Sequence, residues 1–166
     1  MHSSGFYKTS FWLLLFMFSI VEINAQENPP IPVSVEVNTS QFLNFGSFTG
    51  GVNGGTVTVN YAGNRTKTGD IFLLGASESP ALFDIIANPG TIMQITVPGQ
   101  IELTGSNGGQ IYLTINSFST GQTFVTSANP PNTTPVYVGG TLSIGDQTSA
   151  IPGNYNGNFT LTFIHQ

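Results

Sequence analysis

The chain has 166 residues, a net charge of −5, only 7% charged residues, 20 Gly, 10 Pro and no Cys. About a quarter of an average soluble domain is charged, so Asn, Thr, Ser and Gln must hydrate this one. Three basic residues cannot neutralise a phosphate backbone, which excludes nucleic-acid binding. The lack of Cys excludes disulfides, thiolate metal sites and cysteine nucleophiles.

Residues 1–25 read as a cleaved secretory signal peptide. Lys8 supplies the positive n-region, Phe11 to Val21 is continuously apolar, and Ala25 places a small residue ahead of Gln26. The alternative is a membrane anchor, but that apolar stretch is about half of the ~20 residues that cross a bilayer. Export to the periplasm, the outer surface or the extracellular space follows. Residues 26–32 (QENPPIP) form a proline-rich, extended lead-in. Residues 33–166 form a single β domain.

From Val33 onward, period-two alternation dominates. Val33, Val35 and Val37 alternate with Ser34 and Glu36, and Val57 and Val59 with Thr56, Thr58 and Asn60. Ile71 to Ala76 (IFLLGA) is a continuous apolar run, expected for a strand buried on both faces. Leu82–Ala87, Ile92–Val97, Ile101–Leu103, Ile111–Ile115 and Val136–Ile144 follow as further strands. Tyr155–Ile164 reads as one long strand, with Tyr155, Phe159, Leu161 and Phe163 on its apolar face.

Turn signals punctuate these runs, among them Gly50-Gly51, Asn53-Gly54-Gly55, Gly63-Asn64, Asn107-Gly108-Gly109 and Pro152-Gly153. About nine short strands with such spacing predict an antiparallel β-sandwich. A Gly-Gly-x-apolar-x-apolar phrase begins at Gly54, Gly108 and Gly139. Its unequal spacing argues against a repeat array and for reused turn-into-strand chemistry. Ser117–Pro135 reads as a long polar loop with a short strand at Thr123–Thr126, and a loop of that length is the best place for a ligand contact.

The order of motifs resembles a bacterial envelope family catalogued as domain of unknown function 4402. The resemblance is carried by Leu43-Asn44-Phe45-Gly46, then GGTVTVN from Gly54, then Arg65-Thr66-Lys67-Thr68-Gly69 before IFLLGA, and later VYVGGTLSIG from Val136. The closing Pro152-Gly153-Asn154-Tyr155-Asn156-Gly157-Asn158-Phe159 phrase is similar to the last strand of spore-coat-U-like and fimbrial subunit domains. The resemblance implies an immunoglobulin-like, Greek-key β-sandwich exported by a Gram-negative bacterium. It carries over no catalytic residues.

The residues themselves support little chemistry. His165 is the one histidine outside the leader, and near the chain end it reads as a solvated, frayed residue. No Gly-x-Ser-x-Gly elbow accompanies it. Asp70, Glu78, Asp84, Glu102 and Asp146 are scattered; only folding could pair two of them for glycoside hydrolysis. Asp84 shares a strand face with Leu82 and Ile86 and reads as water-facing. No calcium-loop motif occurs. Tyr61, Tyr112, Tyr137 and Tyr155 could serve a glycan but read as half-buried packing. Arg65 and Lys67, two residues apart, should point the same way as a small basic spot on a strand edge or turn.

No catalytic, cofactor-binding or metal-ligating residue is therefore assigned, and no cofactor is expected. The leading expectation is an exported, non-enzymatic structural, adhesive or fimbria-like module. Self-assembly by strand addition is its sharper form, because Ile31, Val33, Val35 and Val37 have the alternation of a strand that completes a neighbouring sheet. The alternatives are a small outer-membrane β-barrel and a secreted glycan-binding or hydrolytic domain.

Overall fold

A computed structural model describes residues 31–166. The expected signal peptide over residues 1–25 and most of the lead-in lie outside the described residues. The rest of the chain is all-β, with no helix among the described residues, and every pair of strands in its two sheets is antiparallel. The large sheet holds β1 (Ser34–Val37), β2 (Ser47–Val59), β3 (Arg65–Leu74), β4 (Ala81–Ile86), β6 (Ile101–Gly105), β7 (Gln110–Phe118), β9 (Thr134–Ile144) and β10 (Tyr155–Asn156). The small sheet runs β11 (Thr162–His165), β5 (Ile92–Thr96), β8 (Thr123–Val125).

β9 is the centre of the large sheet. One of its edges carries β7, and the other is divided between two partners. β4 pairs with Thr134–Val138, and β2 pairs with Gly140–Ile144. The change of partner falls at Gly139, where a Cβ would collide with the carbonyl oxygen of Val59. The Gly139-Gly140 pair, expected to turn the chain into a strand, instead sits in the middle of one. Its role is close approach of three backbones. Gly50–Gly55, likewise expected to be turns, lies inside β2 as a register shift against β3. Of the Gly-Gly pairs, only Gly108-Gly109 keeps the expected role, in the β6–β7 turn; Gly63-Asn64 lies as expected between β2 and β3.

Alternation places the core. Val57 and Val59, Phe83 and Ile85, Ile111, Leu113 and Ile115, and Val136, Val138, Leu142 and Ile144 all face inward and are buried. Met93, Ile95 and Phe124 of the small sheet join the same cluster. Phe83 meets Phe163 and Phe159 with ring centroids 5.7 and 6.4 Å apart, joining the chain end to β4. Each such side chain removed from water contributes about 1.5–3 kcal/mol. The outer face is hydrated by neutral groups: Thr141 Oγ1 lies 3.0 Å from both Thr58 Oγ1 and Asn116 Nδ2, and Thr56 and Thr68 hydroxyls lie 2.7 Å apart.

Three expected elements differ. Ile71–Ala76 is not buried on both faces: β3 pairs with β2 alone, so Phe72 stands 57% exposed while Ile71 is fully buried. The Ser117–Pro135 stretch contains the expected short strand, β8, paired with β5, but it is shorter as a loop than expected because β7 runs to Phe118 and β9 begins at Thr134. The long closing strand divides into β10 and β11, which belong to different sheets. Its alternation survives, with Tyr155, Phe159, Leu161 and Phe163 all packed against the core. At the break, Gly157 lies so close to the Leu103 side chain that a Cβ would not fit.

Candidate functional site

Two arrangements stand out, a polar knot at the β3 edge and a groove beside it. Arg65 opens β3 opposite Val59, and opposed residues in a ladder share a face. Its side chain therefore starts on the core side, where it is 5% exposed. Nη1 donates to the carbonyls of Phe45 (2.9 Å) and Ser47 (3.3 Å), and Nη2 to those of Leu74 (3.5 Å) and Gly75. Nε lies 3.5 Å from Glu78 Oε2, and neither atom has a hydrogen-bond partner. That contact acts through charge in a low-dielectric setting.

Asn44 completes the knot. Its backbone pairs with that of Ser79 in both directions (2.8 and 2.9 Å), its Nδ2 donates to Ser77 O (2.7 Å), and its Oδ1 accepts from Gly46 N (2.9 Å). Gly46 has φ +67°, and a Cβ there would land on Arg65 Nη1. Leu43-Asn44-Phe45-Gly46 and the arginine of RTKTG thus form one unit across the fold. The expected basic spot does not form. Arg65 turns inward, while the Lys67 ammonium rests 5.0 Å from the centroid of the exposed Phe72 ring.

The groove has a volume of about 1020 Å³. Its floor is aliphatic: Leu103 of β6, Ile111 and Leu113 of β7, Leu142 and Ile144 of β9. Two unbroken runs of chain, residues 42–51 and 150–157, form its rims. A continuous run, rather than every second residue, means that a strand edge faces the groove. On one rim, Ser47–Gly50 pairs with β3 alone, since β9 meets β2 only from Gly55 onward. On the other, Tyr155 and Asn156 pair with β6 alone.

A family model described as a domain of unknown function (DUF4402) matches residues 35–164. The chain belongs to the DUF4402 family. No curated protein and no solved structure matches it. The match takes in every strand from β1 to β11, so the knot and the groove both lie within this DUF4402 domain.

Glu36 and Asp84 lie opposite each other in the β1–β4 ladder; Glu102 and Asp146 meet other partners. Asp84 faces outward on β4 and accepts from the Thr133 hydroxyl (2.9 Å), and Glu102 accepts from Gln110 Nε2 (2.7 Å). Among the described residues, no three of His, Cys, Asp and Glu gather as metal ligands. Asp146 Oδ1 accepts from the hydroxyls and amides of both Thr148 and Ser149 at 2.7–3.1 Å. The Thr148 hydroxyl and then the Ser149 hydroxyl lower the carboxyl pKa to about 2. His165 is exposed but not frayed: it sits in β11 opposite Met93, and the next amide donates to Ile92 O (3.1 Å). Tyr61 and Tyr112 are exposed rather than half-buried, whereas Tyr137 and Tyr155 match the expectation.

Sequence reasoning missed the buried role of Arg65 and the groove. The signal for the first was present: Arg65 follows a Gly63-Asn64 turn signal in a chain with almost no other cation. Its acceptors are main-chain carbonyls, which leave no trace in residue identity. For the groove, the signal was the Gly-rich stretch at 50–55 and Pro152-Gly153, where the ladders lose partners.

Proposed function

We propose that this DUF4402 domain is an exported, non-enzymatic contact module, a structural or adhesive subunit of a bacterial surface. The observation that carries the reading is the local engagement of four of its acids, the one cross-strand acid pair, Glu36 opposite Asp84, lying on the exposed β1 edge. Glu78 faces Arg65, Asp84 meets Thr133, Glu102 meets Gln110, and Asp146 closes its own loop. A glycoside hydrolase uses two carboxyl groups about 5–10 Å apart across a substrate, and side chains tied into local loops and ladders serve architecture instead. The leader-like residues 1–25 and the absence of Cys support export. The two facing sheets support the finer immunoglobulin-like reading, and the similarity of the closing strand to fimbrial subunits supports a surface role. The unpaired edges of β1, β3 and β10 favour it over a closed membrane barrel.

Contact by strand addition is the form this reading takes. β1 carries Val35 and Val37 at 37% and 62% exposure on a strand of four residues, so Ile31, Val35 and Val37 are open to a neighbour, while Val33 packs against the chain's own core. Protease treatment of intact cells, with light scattering of the purified protein, tests the reading. A surface-exposed chain that self-associates is expected; a cytoplasmic monomer would overturn it. Deleting residues 26–38 should leave a soluble protein that no longer associates. If the deleted chain unfolds, those residues are only the domain's own first strand.

A further inference from the structure

We propose that the outer face of β6, β7 and β9 around Tyr112 is a binding site for an uncharged glycan. The proposal goes beyond the contact-module reading, which rests on the β1 edge, and stands apart from it. Its first support is a row of side chains that the ladders bring into line. Tyr112 of β7 lies opposite Glu102 of β6 and Ser143 of β9; Ser143 lies opposite Thr56 of β2, and Thr56 opposite Thr68 of β3. Opposed residues share a face, so these five side chains cross five strands, over about 19 Å at ~4.8 Å per strand. A second row, Thr114, Thr141, Thr58 and Thr66, lies beside it. The Thr56 and Thr68 hydroxyls lie 2.7 Å apart, and those of Thr58 and Thr141 3.0 Å apart. Each hydroxyl has one donor and two acceptor positions, so the array keeps capacity for a ligand that is itself made of hydroxyls.

The second support is a dish at the end of the first row, with a volume of about 490 Å³, inside the ~300–1,000 Å³ of ligand pockets. Thr104, Gln110, Tyr112, Ser143 and Ser149 line it. Tyr112, expected as packing, is 36% exposed there. A ring with an apolar body and a wet, polar tip suits the C–H face and the hydroxyls of a sugar. Gln110 beside it is fixed at both ends. Its backbone amide donates to Ser149 O (2.9 Å), and its Nε2 donates to Glu102 Oε1 (2.7 Å). That bond uses one oxygen of the carboxylate and one N–H of the amide, and each group has a second position for a ligand hydroxyl. Side chains ordered in advance lower the cost of binding. The third support is charge. No cation stands in either row: Arg65 and Lys67 start from the other face, opposite Val59 and Val57, and meet the knot and the Phe72 ring. Glu102 is the one charge in the two rows, and Asp84 and Glu36 further along the sheet are also negative. An acidic polysaccharide or a phosphate group is repelled here. Protein interfaces have apolar, aromatic cores, whereas one ring among hydroxyls and amides favours a sugar.

The test titrates three neutral hexasaccharides, cellohexaose, xylohexaose and mannohexaose, into isotope-labelled protein and follows the backbone amide shifts. At least one should bind with a Kd of about 1 mM or below and move the amides around Glu102, Tyr112 and Ser143. Binding by none overturns the site, and so does a set of shifts centred elsewhere. Hexagalacturonate, equally long but acidic, should not bind; if it binds as well as the neutral sugars, the uncharged class is wrong. Tyr112→Ala should weaken sugar binding about tenfold, while Thr123→Ala on the small sheet leaves it unchanged. Equal affinity of the two variants overturns the proposal. Should Tyr112→Ala misfold, the shifts of the unmodified protein decide. Neutral polysaccharide from the producing cell, added as a competitor, separates two sources. Displacement assigns the ligand to the cell's own envelope and no displacement to a foreign surface; both outcomes keep the site. Light scattering keeps the two readings distinct. If no sugar binds and the chain still self-associates, this site falls and the contact module stands. If Tyr112→Ala abolishes self-association instead, the face is a protein contact and the glycan is overturned.

Discussion

Two of the edges of the large sheet, β3 and β1, have opposite character. At β3, a charged side chain is drawn inward, and Arg65 fills the flank of the core with donors to the carbonyls of Phe45, Ser47, Leu74 and Gly75. At β1, the inward-facing positions are aliphatic, yet Val35 stays partly and Val37 largely in water. The usual guard for a strand edge is charge pointing at solvent. Here the sole buried cation secures one edge, while the other is left apolar and short. An edge closed by a knot has a structural task; on the proposed reading, the apolar edge left open at β1 is the one suited to contact.

The largest break in that contrast should come from Arg65→Ala. It removes the donors from four carbonyls and leaves Glu78 near-buried without its cation, at a cost of about 4 kcal/mol, read from urea unfolding midpoints. Adding Glu78→Ala should recover part of that loss, and no recovery would mean that the carbonyl bonds alone hold the knot. Gly139→Ala should cost about 3 kcal/mol, because the new methyl collides with Val59 O where the two halves of the sheet part. Glu36→Gln acts in the other direction. Relieving the opposition to Asp84 should tighten β1 by about 0.5 kcal/mol, seen as slower hydrogen exchange of its amides and weaker self-association.

The smallest effect is local and tests the same device, charge bonded to backbone, without burial. Asp146 has a folded pKa of about 2 against an ordinary 3.8. Its contribution is therefore complete above about pH 4 and is lost as the pH falls through 2. The Ser149 amide should exchange faster across that window, and Asp146→Asn should abolish the pH dependence.

Alternation made most of the fold legible. β4, β5, β7 and the inward residues of the chain end were readable because side-chain direction in a strand needs no knowledge of its partner. Ladder partners were not readable. Phe72 and Leu74 look like core in a run of apolar residues, and only the single neighbour of β3 exposes them. Gly-Gly pairs read as turns because a turn is the commonest reason for glycine, whereas Gly139 serves a crossing of backbones from three strands. Arg65 was legible as a cation at an edge but not as a buried one, since its acceptors are peptide carbonyls. The groove was invisible for a related reason: it is bounded by strand edges whose ladder partners are decided only by the fold.

The divided edge of β9 also sets an order of events. Val57 pairs with Leu142, and Ala81 with Val138, so the strand that unites the sheet arrives late in the chain. Such distant partners make folding slow, because loop closure must precede the contacts that reward it. Until the segment around residue 144 is available, the β2–β3 hairpin has nothing to cover its valines. The chain thus has a built-in delay between synthesis and collapse, the interval in which a polypeptide can still be threaded through a narrow channel.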